Sequence, residues 1–450
     1  MKSYEIWKKQ IGIITYVKKY LDLCKQSNID IANSSFCYFA HFGFFSGSAK
    51  LRLKLYGLKY IFNYIKIILF NILAISKLSN YFISKHNIEK KVFKNLIISN
   101  ASKNNFKKDG SYFDPYFQTN SRKTPSTLWF LNCFDNYVPN KFDKNIIIFA
   151  RSKSLFNYSI LFFISTFLRV LLRSQFSLKK IIHEFSVPSQ FSNIISEKIL
   201  SVVTNGKFKN VINAYEAQPF QNTVFKKIKK IDKKIKTIGY WHTALAPIST
   251  STIFKSGAPD LLLISGKYSK FFLCKYLNWP SKKIQVVPSF RYNKKNILKM
   301  GGYIYLPFNI FGRKKIILEF ENFLKKSRVR SINKLIIKDH PFATLTYERK
   351  KTIEELKNLI VIYKTRFDSN KKKNLSIFIG ATSSVIVALE SNIETVHICE
   401  EPVFESYSSK LWKTLKVKQI SSNTFIYKQK VKNSLIKFGL NDNMLQKYIF

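Results

Sequence analysis

Cysteine is scarce and scattered. Cys24, Cys37, Cys133, Cys274 and Cys399 stand far apart and include no CxxC pair, so neither a disulfide framework nor a zinc-finger motif is available, and a reducing, cytosolic setting fits. Glycine and proline are also sparse, at 14 and 12 in 450 residues, with no recurring period. That excludes collagen-like and repeat architectures. Acidic residues are the third shortage: 26 Asp and Glu stand against 76 Lys and Arg, a formal net charge of +50. Long apolar runs are missing as well. Residues 61–75 are interrupted by Asn63, Lys66 and Asn71, and residues 155–168 run into Arg169 and Arg173. Both fall short of the ~20 residues a spanning helix needs. The opening Met1-Lys2-Ser3-Tyr4-Glu5 is not followed by an apolar core, so no signal peptide is expected.

What is present suffices for a globular protein. Hydrophobic residues make up 46% and charged residues 23%, which excludes disorder over most of the length, and the length suits two or three domains. Lysine, asparagine, isoleucine and phenylalanine (41 Phe) are abundant throughout, the bias that AT-rich coding produces. The lysines are spread along the chain instead of being gathered in one tail or stripe, which disfavours nucleic acid as a partner. An anionic membrane surface is the alternative partner for such charge, with the 61–75 and 155–168 stretches as interfacial helices.

The apolar pattern changes along the chain. Residues 1–90 read as helices, notably WKKQIGIITYVKKYLDLCK and LRLKLYGLKYIFNYIKIILFNILAI. From residue 92, near-continuous apolar runs at 93–101, 126–134, 144–151, 210–217, 236–243, 260–265 and 283–290 alternate with helices at 153–173 and around 189–203. A polar break with a Gly pair, RYNKKNILKMGG, occupies 291–302. Strand-like runs then recur at 303–308, 334–341, 361–364, 375–382 and 394–399, between helices around 314–326, 346–358 and 384–391; residues 424–450 read as helical. Such runs indicate parallel sheets covered on both faces. The expected fold is α/β, with two Rossmann-like domains facing a cleft: a helical region at 1–91, a first domain at 92–295 and a second at 296–450.

Ligands of open α/β sheets bind at the carboxyl ends of the strands, and four stretches fall there. Tyr215-Glu216-Ala217-Gln218-Pro219 ends one strand, and Glu216 is a candidate general base whose apolar surroundings would raise its pKa. Gly239-Tyr240-Trp241-His242-Thr243 ends the next, with His242 placed for ligand contact; besides these four, Ser265-Gly266 marks the end of the strand that follows, where backbone could approach a ligand closely. In Lys338-Asp339-His340-Pro341 the proline stops the strand and projects His340 towards a phosphate oxygen. Gly380-Ala381-Thr382-Ser383-Ser384 opens a helix with hydroxyls and backbone N–H groups, an anion site. Walker A, GxGxxG and HExxH patterns are absent, and no metal ligands are expected.

His340-Pro341 followed by Thr382-Ser383-Ser384 resembles the HP and serine motifs of GT-B glycosyltransferases of bacterial surface polysaccharides: polysialyltransferases, bacterial sialyltransferases and capsular Kdo transferases. The resemblance implies that His340, Pro341, Thr382, Ser383 and Ser384 bind the phosphate and ribose side of a CMP-sugar. It implies no cofactor beyond the nucleotide-sugar substrate, no metal, a glycan or glycolipid acceptor, and a cytoplasmic enzyme peripheral to the inner membrane face. Glu216 or His242 would then deprotonate the acceptor. The layout is also similar to a CDP-glycerol glycerophosphotransferase, although Thr243 stands where that motif has glycine. A basic protein that binds membrane or nucleic acid without catalysis is the third reading.

Overall fold

In the computed structural model of the chain, residues 3–26, 77–85, 93–152, 160–176, 187–293, 301–310, 312–326, 335–340, 343, 345–363, 375–439 and 448–449 are described. Helix α1 (Ser3–Gln26) opens the chain. Its buried residues Ile6, Gln10, Ile14, Val17 and Leu21 recur every three or four positions, so one stripe faces the core.

The first sheet has eight strands. β1 (Tyr81–Lys85), β2 (Asn95–Ala101), a small hairpin of β3 (Phe113–Asp114) and β4 (Thr119–Asn120), β5 (Thr127–Cys133) and β6 (Ile146–Arg151) come first. Helices α2 (Ile160–Ser174) and α3 (Val187–Thr204) lead to β7 (Asn210–Tyr215), α4 (Pro219–Ile231), β8 (Lys236–Trp241), β9 (Leu261–Ile264), α5 (Lys267–Leu277) and β10 (Ile284–Val286). The strand order is β1-β6-β5-β2-β7-β8-β9-β10, and β1 alone runs antiparallel to its neighbour. Every residue of β2 and β5 is buried, as a parallel sheet covered on both faces requires.

β11 (Ser289–Asn293) leads to the second sheet: β12 (Tyr303–Tyr305), α6 (Arg313–Lys326), β13 (Ile336–Lys338), α7 (Tyr347–Ile362), β14 (Leu375–Ile379), α8 (Ser384–Glu390), β15 (Glu394–Ile398), α9 (Pro402–Glu405), β16 (Leu415–Gln419) and β17 (Thr424–Gln429). Its order is β13-β12-β14-β15-β17-β16, with β12 to β15 parallel and β16 and β17 antiparallel. Each sheet grows first to one side and then to the other. The direction reverses between β2 and β7 in the first sheet and between β12 and β14 in the second, the crevices where open α/β sheets hold ligands. The expected pair of Rossmann-like sheets is therefore present.

Helices and the returning chain bind the two sheets together. Tyr407 Oη donates to Leu245 O at 2.9 Å, and Trp412 Nε1 donates to Pro247 O at 2.9 Å. Trp412 also stacks on Phe272 of α5 with ring centroids 4.6 Å apart. Gln10 of α1 donates to Val403 O and Ser406 O. After β17 the chain returns to the first half, where β18 (Phe438–Gly439) pairs with β11, and Tyr448 and Ile449 join the core beneath Phe290. Glu390, buried at the end of α8, fastens this return: its carboxylate accepts from the backbone N–H groups of Asn433, Leu435 and Ile436 at 2.6, 2.8 and 3.1 Å.

Three sequence expectations need correction. Residues 81–85, within the region read as helical, form β1, because the strand-favouring Tyr81, Phe82 and Ile83 meet the open edge of β6. Residues 361–363 continue and close α7 instead of forming a strand. The segment 424–450 contains β17 and β18, since TFIYKQ has the aromatic and β-branched side chains that fit beside β15; its expected return to the first half does occur. The 61–75 stretch lies outside the described residues. No described helix is long and apolar enough to cross a membrane.

Replacing Glu390 by alanine leaves the buried N–H groups of Leu435 and Ile436 unsatisfied, and a loss of about 2–3 kcal/mol is expected. Urea denaturation of Glu390→Ala measures this; a midpoint equal to that of the parent protein would show that the return segment is held by other contacts.

Candidate functional site

β7 ends at the reversal point of the first sheet, so the residue after it, Glu216, stands at the mouth of that crevice. The loop is set by Gln221, whose Oε1 accepts from the N–H groups of Glu216 and Gln218 at 2.9 and 3.0 Å, while its Nε2 donates to Asn213 Oδ1 and Ala214 O. Pro219 then starts α4. Between them Ala217 is left-handed at φ 58, a conformation that costs a non-glycine residue roughly 1–2 kcal/mol. It turns the Glu216 side chain towards the neighbouring strand.

That strand, β8, delivers His242. Its Nε2 lies 3.2 Å from Glu216 Oε1, and Gln218 Nε2 donates to Glu216 Oε2 at 3.1 Å. The imidazole side chain is 3% exposed and the carboxylate 27%; the glutamate alone is open to a substrate, with the histidine behind it. Burial pushes the His242 pKa below its ordinary value, and the charge of Arg291 adds to this while Glu216 opposes it. A neutral imidazole donates Nε2–H to Glu216 and leaves Nδ1 as an acceptor, an atom that is buried with no hydrogen-bond partner.

The Tyr116 ring packs edge-on against His242 with centroids 4.2 Å apart. Buried Asp114 holds this loop: Oδ1 accepts from the Tyr116 and Phe117 N–H groups at 2.8 and 2.7 Å, and Oδ2 from Tyr112 Oη at 2.7 Å. Burial raises the pKa of Asp114 despite those bonds. Above Tyr116 lies Arg291 of β11, with its guanidinium carbon 5.4 Å from the ring centroid.

The second crevice is built by the loops after β12, β13, β14 and β15. His340 follows β13 and meets Phe308 edge-on at 5.3 Å. Buried Arg349 fixes the turn: it forms an ion pair with Asp339 and donates to Phe308 O and Pro307 O. Burial, then the charges of Arg349 and Arg291, pull the His340 pKa down to about 4, so this ring is neutral at pH 7. Gly380, at φ +62, approaches Pro307 so closely that a Cβ would lie 3.0 Å from its Cγ. Beyond it Thr382 Oγ1 accepts from Ser384 N at 3.3 Å, and Ser383 caps nothing with its side chain. Thr382, Ser383 and Ser384 are all partly accessible. Glu400 Oε2 accepts from Gly312 N at 3.1 Å, tying the loop after β15 to that after β12.

The expected residues thus form two groups. Glu216 and His242 are paired at the end of the first sheet; His340 and Thr382-Ser383-Ser384 follow strands of the second, and Pro341 lies outside the described residues. Arg291 stacks on Tyr116 beside the first group, and its positive charge lowers the pKa of both His242 and His340. Ser265-Gly266 corrects an expectation: a Cβ on Gly266 would stand 1.9 Å from Leu435 O, so the glycine admits the chain's own return segment, not a ligand. Sequence reading missed Asp114, Tyr116 and Arg291. Arg291 was absorbed into a polar break, and its only signal was a cation directly after an apolar strand. His397, inside apolar β15, was also missed; its Nε2 bonds Gly380 O at 2.7 Å, and burial holds its pKa at about 4. Among the described residues no group of three or more His, Cys, Asp or Glu could hold a metal ion.

No protein-family model matches the chain, and no curated protein matches it. Among solved structures, it is similar to an α,α-trehalose 6-phosphate synthase of Burkholderia multivorans at 8% identity, with a TM-score of 0.36 over 70% of this chain and 83% of that one. The UDP-forming α,α-trehalose-phosphate synthase of Burkholderia vietnamiensis aligns at 10% identity and a TM-score of 0.37, covering 70% and 85%. A variant of the wall teichoic acid polymerase TagF aligns at 11% identity and 0.30, covering 68% and 71%. At these scores the overlays bear on neither substrate nor reaction.

The histidines generate a pH expectation. The unfolded chain takes up protons on His340 and His397 near pH 6.5, whereas the folded chain does so only at about 4. Between those values the unfolded form binds more protons, so stability falls as pH is lowered from 6.5 towards 4. Thermal melts across that range check this, with His397→Asn expected to flatten the slope; equal melts at pH 6.5 and 4.5 would contradict it.

Proposed function

We propose that the protein is a glycosyltransferase that moves a sugar from a nucleotide-activated donor, CMP-sugars foremost, to a hydroxyl of a surface polysaccharide or glycolipid. The observation that carries this reading is the presence of a strand-end crevice in each of two parallel sheets, each furnished with polar groups. One holds a part-exposed carboxylate backed by a buried imidazole, and the other a neutral histidine after β13 and a turn of hydroxyls after β14.

In this reading Glu216 takes the proton from the acceptor hydroxyl as its oxygen bonds to the anomeric carbon. The bond from that carbon to the donor phosphate breaks, and the nucleotide leaves with the electron pair. His242 is a positioning residue: by donating to Oε1, with Gln218 donating to Oε2, it orients the part-exposed Glu216 carboxylate towards the acceptor. Neutral His340 and the hydroxyls of Ser383 and Ser384 donate to the departing phosphate, where donors act most strongly as charge develops. The nucleotide-sugar is a substrate, and the reaction as written calls on no cofactor or metal.

Membrane attachment belongs to the same proposal. On α2, the apolar side chains Leu161, Ile164, Leu168 and Leu172 face solvent along one stripe, and Leu161 and Leu172 are 80% and 72% exposed. Arg169 and Arg173 lie within the same helix, and the chain carries +50 overall. An apolar stripe with cations suits an interfacial helix on anionic lipid.

Purified protein with CMP, CDP, UDP, GDP or ADP in a thermal-shift panel tests the donor. Selective stabilisation by a cytidine nucleotide is expected, about 2.7 kcal/mol at 100 times the dissociation constant; no shift with any nucleotide would sink the reading. Glu216→Gln is expected to lower transfer about 10²–10⁴-fold with nucleotide binding unchanged, and His340→Ala and Ser383→Ala to weaken nucleotide binding in calorimetry. A phosphodiester in the product, found by mass spectrometry, would replace the glycosyltransferase with a glycerophosphotransferase. With vesicles containing phosphatidylglycerol at low salt, the protein should co-sediment and the double variant Leu161→Asp/Leu172→Asp should remain in the supernatant. A parent protein that stays soluble would refute the membrane part.

A further inference from the structure

His397 is a buried histidine to which the transfer step assigns no part. It stands within β15 with Phe378 opposite it on β14 and Phe425 opposite it on β17, and it is fully enclosed. An imidazole in such apolar surroundings needs its nitrogens hydrogen-bonded. Nε2 lies 2.7 Å from Gly380 O; a carbonyl only accepts, so Nε2 carries the proton and Nδ1 is the acceptor. Tyr427 Oη donates to Nδ1 at 3.3 Å, and Cys399 Sγ lies 3.6 Å from the same atom. The tyrosine is held in its turn. Its Oη accepts from Tyr407 N at 3.2 Å, and Tyr407 Oη donates to Leu245 O in the loop that follows His242. A chain of buried bonds thus runs from the turn after β14 to the loop after β8, and it fixes the tautomer and orientation of the ring.

What the ring grips decides its role. Gly380 is left-handed at φ +62, and glycine is the residue least able to hold one conformation by itself. Its N–H donates to Ile398 O at 2.8 Å, while its C=O meets His397. The first bond fixes the peptide plane before Gly380 and the second the plane after it, so both dihedrals of the glycine are set from β15. Ala381, Thr382 and Ser383 leave from that second plane, and Ser384 opens α8. Without the imidazole the glycine could rotate and carry the hydroxyls of Thr382 and Ser383 out of place. With it, the turn is arranged before any ligand arrives, which reduces the ordering that binding must impose.

We propose that His397 is a positioning residue of the nucleotide crevice: it sets the 380–384 turn by fixing the Gly380 carbonyl through Nε2–H, with Tyr427 and Tyr407 holding the ring in that orientation. This rests on the transferase reading above for the identity of the ligand, whereas the bond to Gly380 does not. Burial keeps the imidazole uncharged at neutral pH, so Nδ1 stays able to accept from Tyr427.

Two measurements on the full chain test the assignment: hydrogen–deuterium exchange by mass spectrometry on a peptide spanning 379–387, and calorimetric titration with CMP. His397→Phe keeps an aromatic ring and loses both bonds. His397→Gln places an amide nitrogen near the position of Nε2 and keeps a donor for Gly380. Tyr427→Phe leaves the Gly380 bond but removes the hydroxyl that holds the ring. In His397→Phe, exchange at 379–387 is expected to quicken about tenfold while a peptide across β2 is unchanged, and CMP to bind about tenfold more weakly. His397→Gln should lie close to the parent in both readouts, and Tyr427→Phe between the parent and His397→Phe. The β2 peptide separates loosening of the turn from general loss of stability. Equal exchange at 379–387 in the parent and His397→Phe overturns the proposal, as does His397→Gln being as perturbed as His397→Phe. CMP affinity that is the same in the parent and His397→Phe also overturns it. Should His397→Phe not fold, Tyr427→Phe carries the test, and exchange equal to that of the parent is then the overturning result. Failure of CMP to bind the parent counts against the nucleotide crevice alone, because exchange is read without ligand.

Discussion

The cleft depends on buried polar atoms that find their partners only where segments distant in sequence meet. Tyr407 and Trp412 give their protons to carbonyls of the loop that follows His242, and Glu390 receives three backbone N–H groups of the segment that returns to β11. A shift that broke these bonds while the seam stayed dry would leave the groups unpaired, and each such buried group costs on the order of 1–3 kcal/mol. Apolar contact alone would permit sliding. Directional bonds fix the register, and with it the spacing between the strand ends of the two sheets.

The same segments that hold the seam also carry the candidate site residues. The loop bonded by Tyr407 and Trp412 continues directly from His242. Glu390 closes the helix that Ser383 and Ser384 open, and the strand paired with the returning chain presents Arg291. Helix α1 packs its Gln10 against α9 from the opposite end of the sequence. A shift at the seam therefore moves His242, Arg291 and the 380–384 turn together, as the proposed transfer between an acceptor and a donor would require.

Burial divides the labour inside the site. His242 and His397 are both enclosed and held neutral, one supporting a carboxylate and the other a glycine carbonyl. His340 is reached by two positive charges as well as by burial, so it too is a hydrogen-bond donor at neutral pH without a charge of its own. Positive charge at the centre then comes from Arg291, whose ionisation is not in question at any physiological pH. The arrangement separates permanent charge from orientable neutral donors.

Much of this was legible in the linear chain. Apolar runs bounded by Glu216, His242, His340 and the 380–384 turn marked the carboxyl ends of parallel strands, because strand periodicity and breakers are local properties. The same locality misled at 81–85, 361–363 and 424–429, where a neighbouring edge or the continuation of a helix decided the outcome. Gly266 showed only that something comes close; that it is Leu435, and not a ligand, depends on a contact across 169 positions of sequence. Arg291 and Tyr116 had no motif to announce them, since a guanidinium stacked on a ring 175 positions away has no sequence period. Composition and local pattern determined two parallel sheets and the residues at their strand ends. Tertiary packing alone decided which of those residues share a crevice, which is exposed and which is buried behind it, because desolvation and pairing exist only when distant parts of the chain meet.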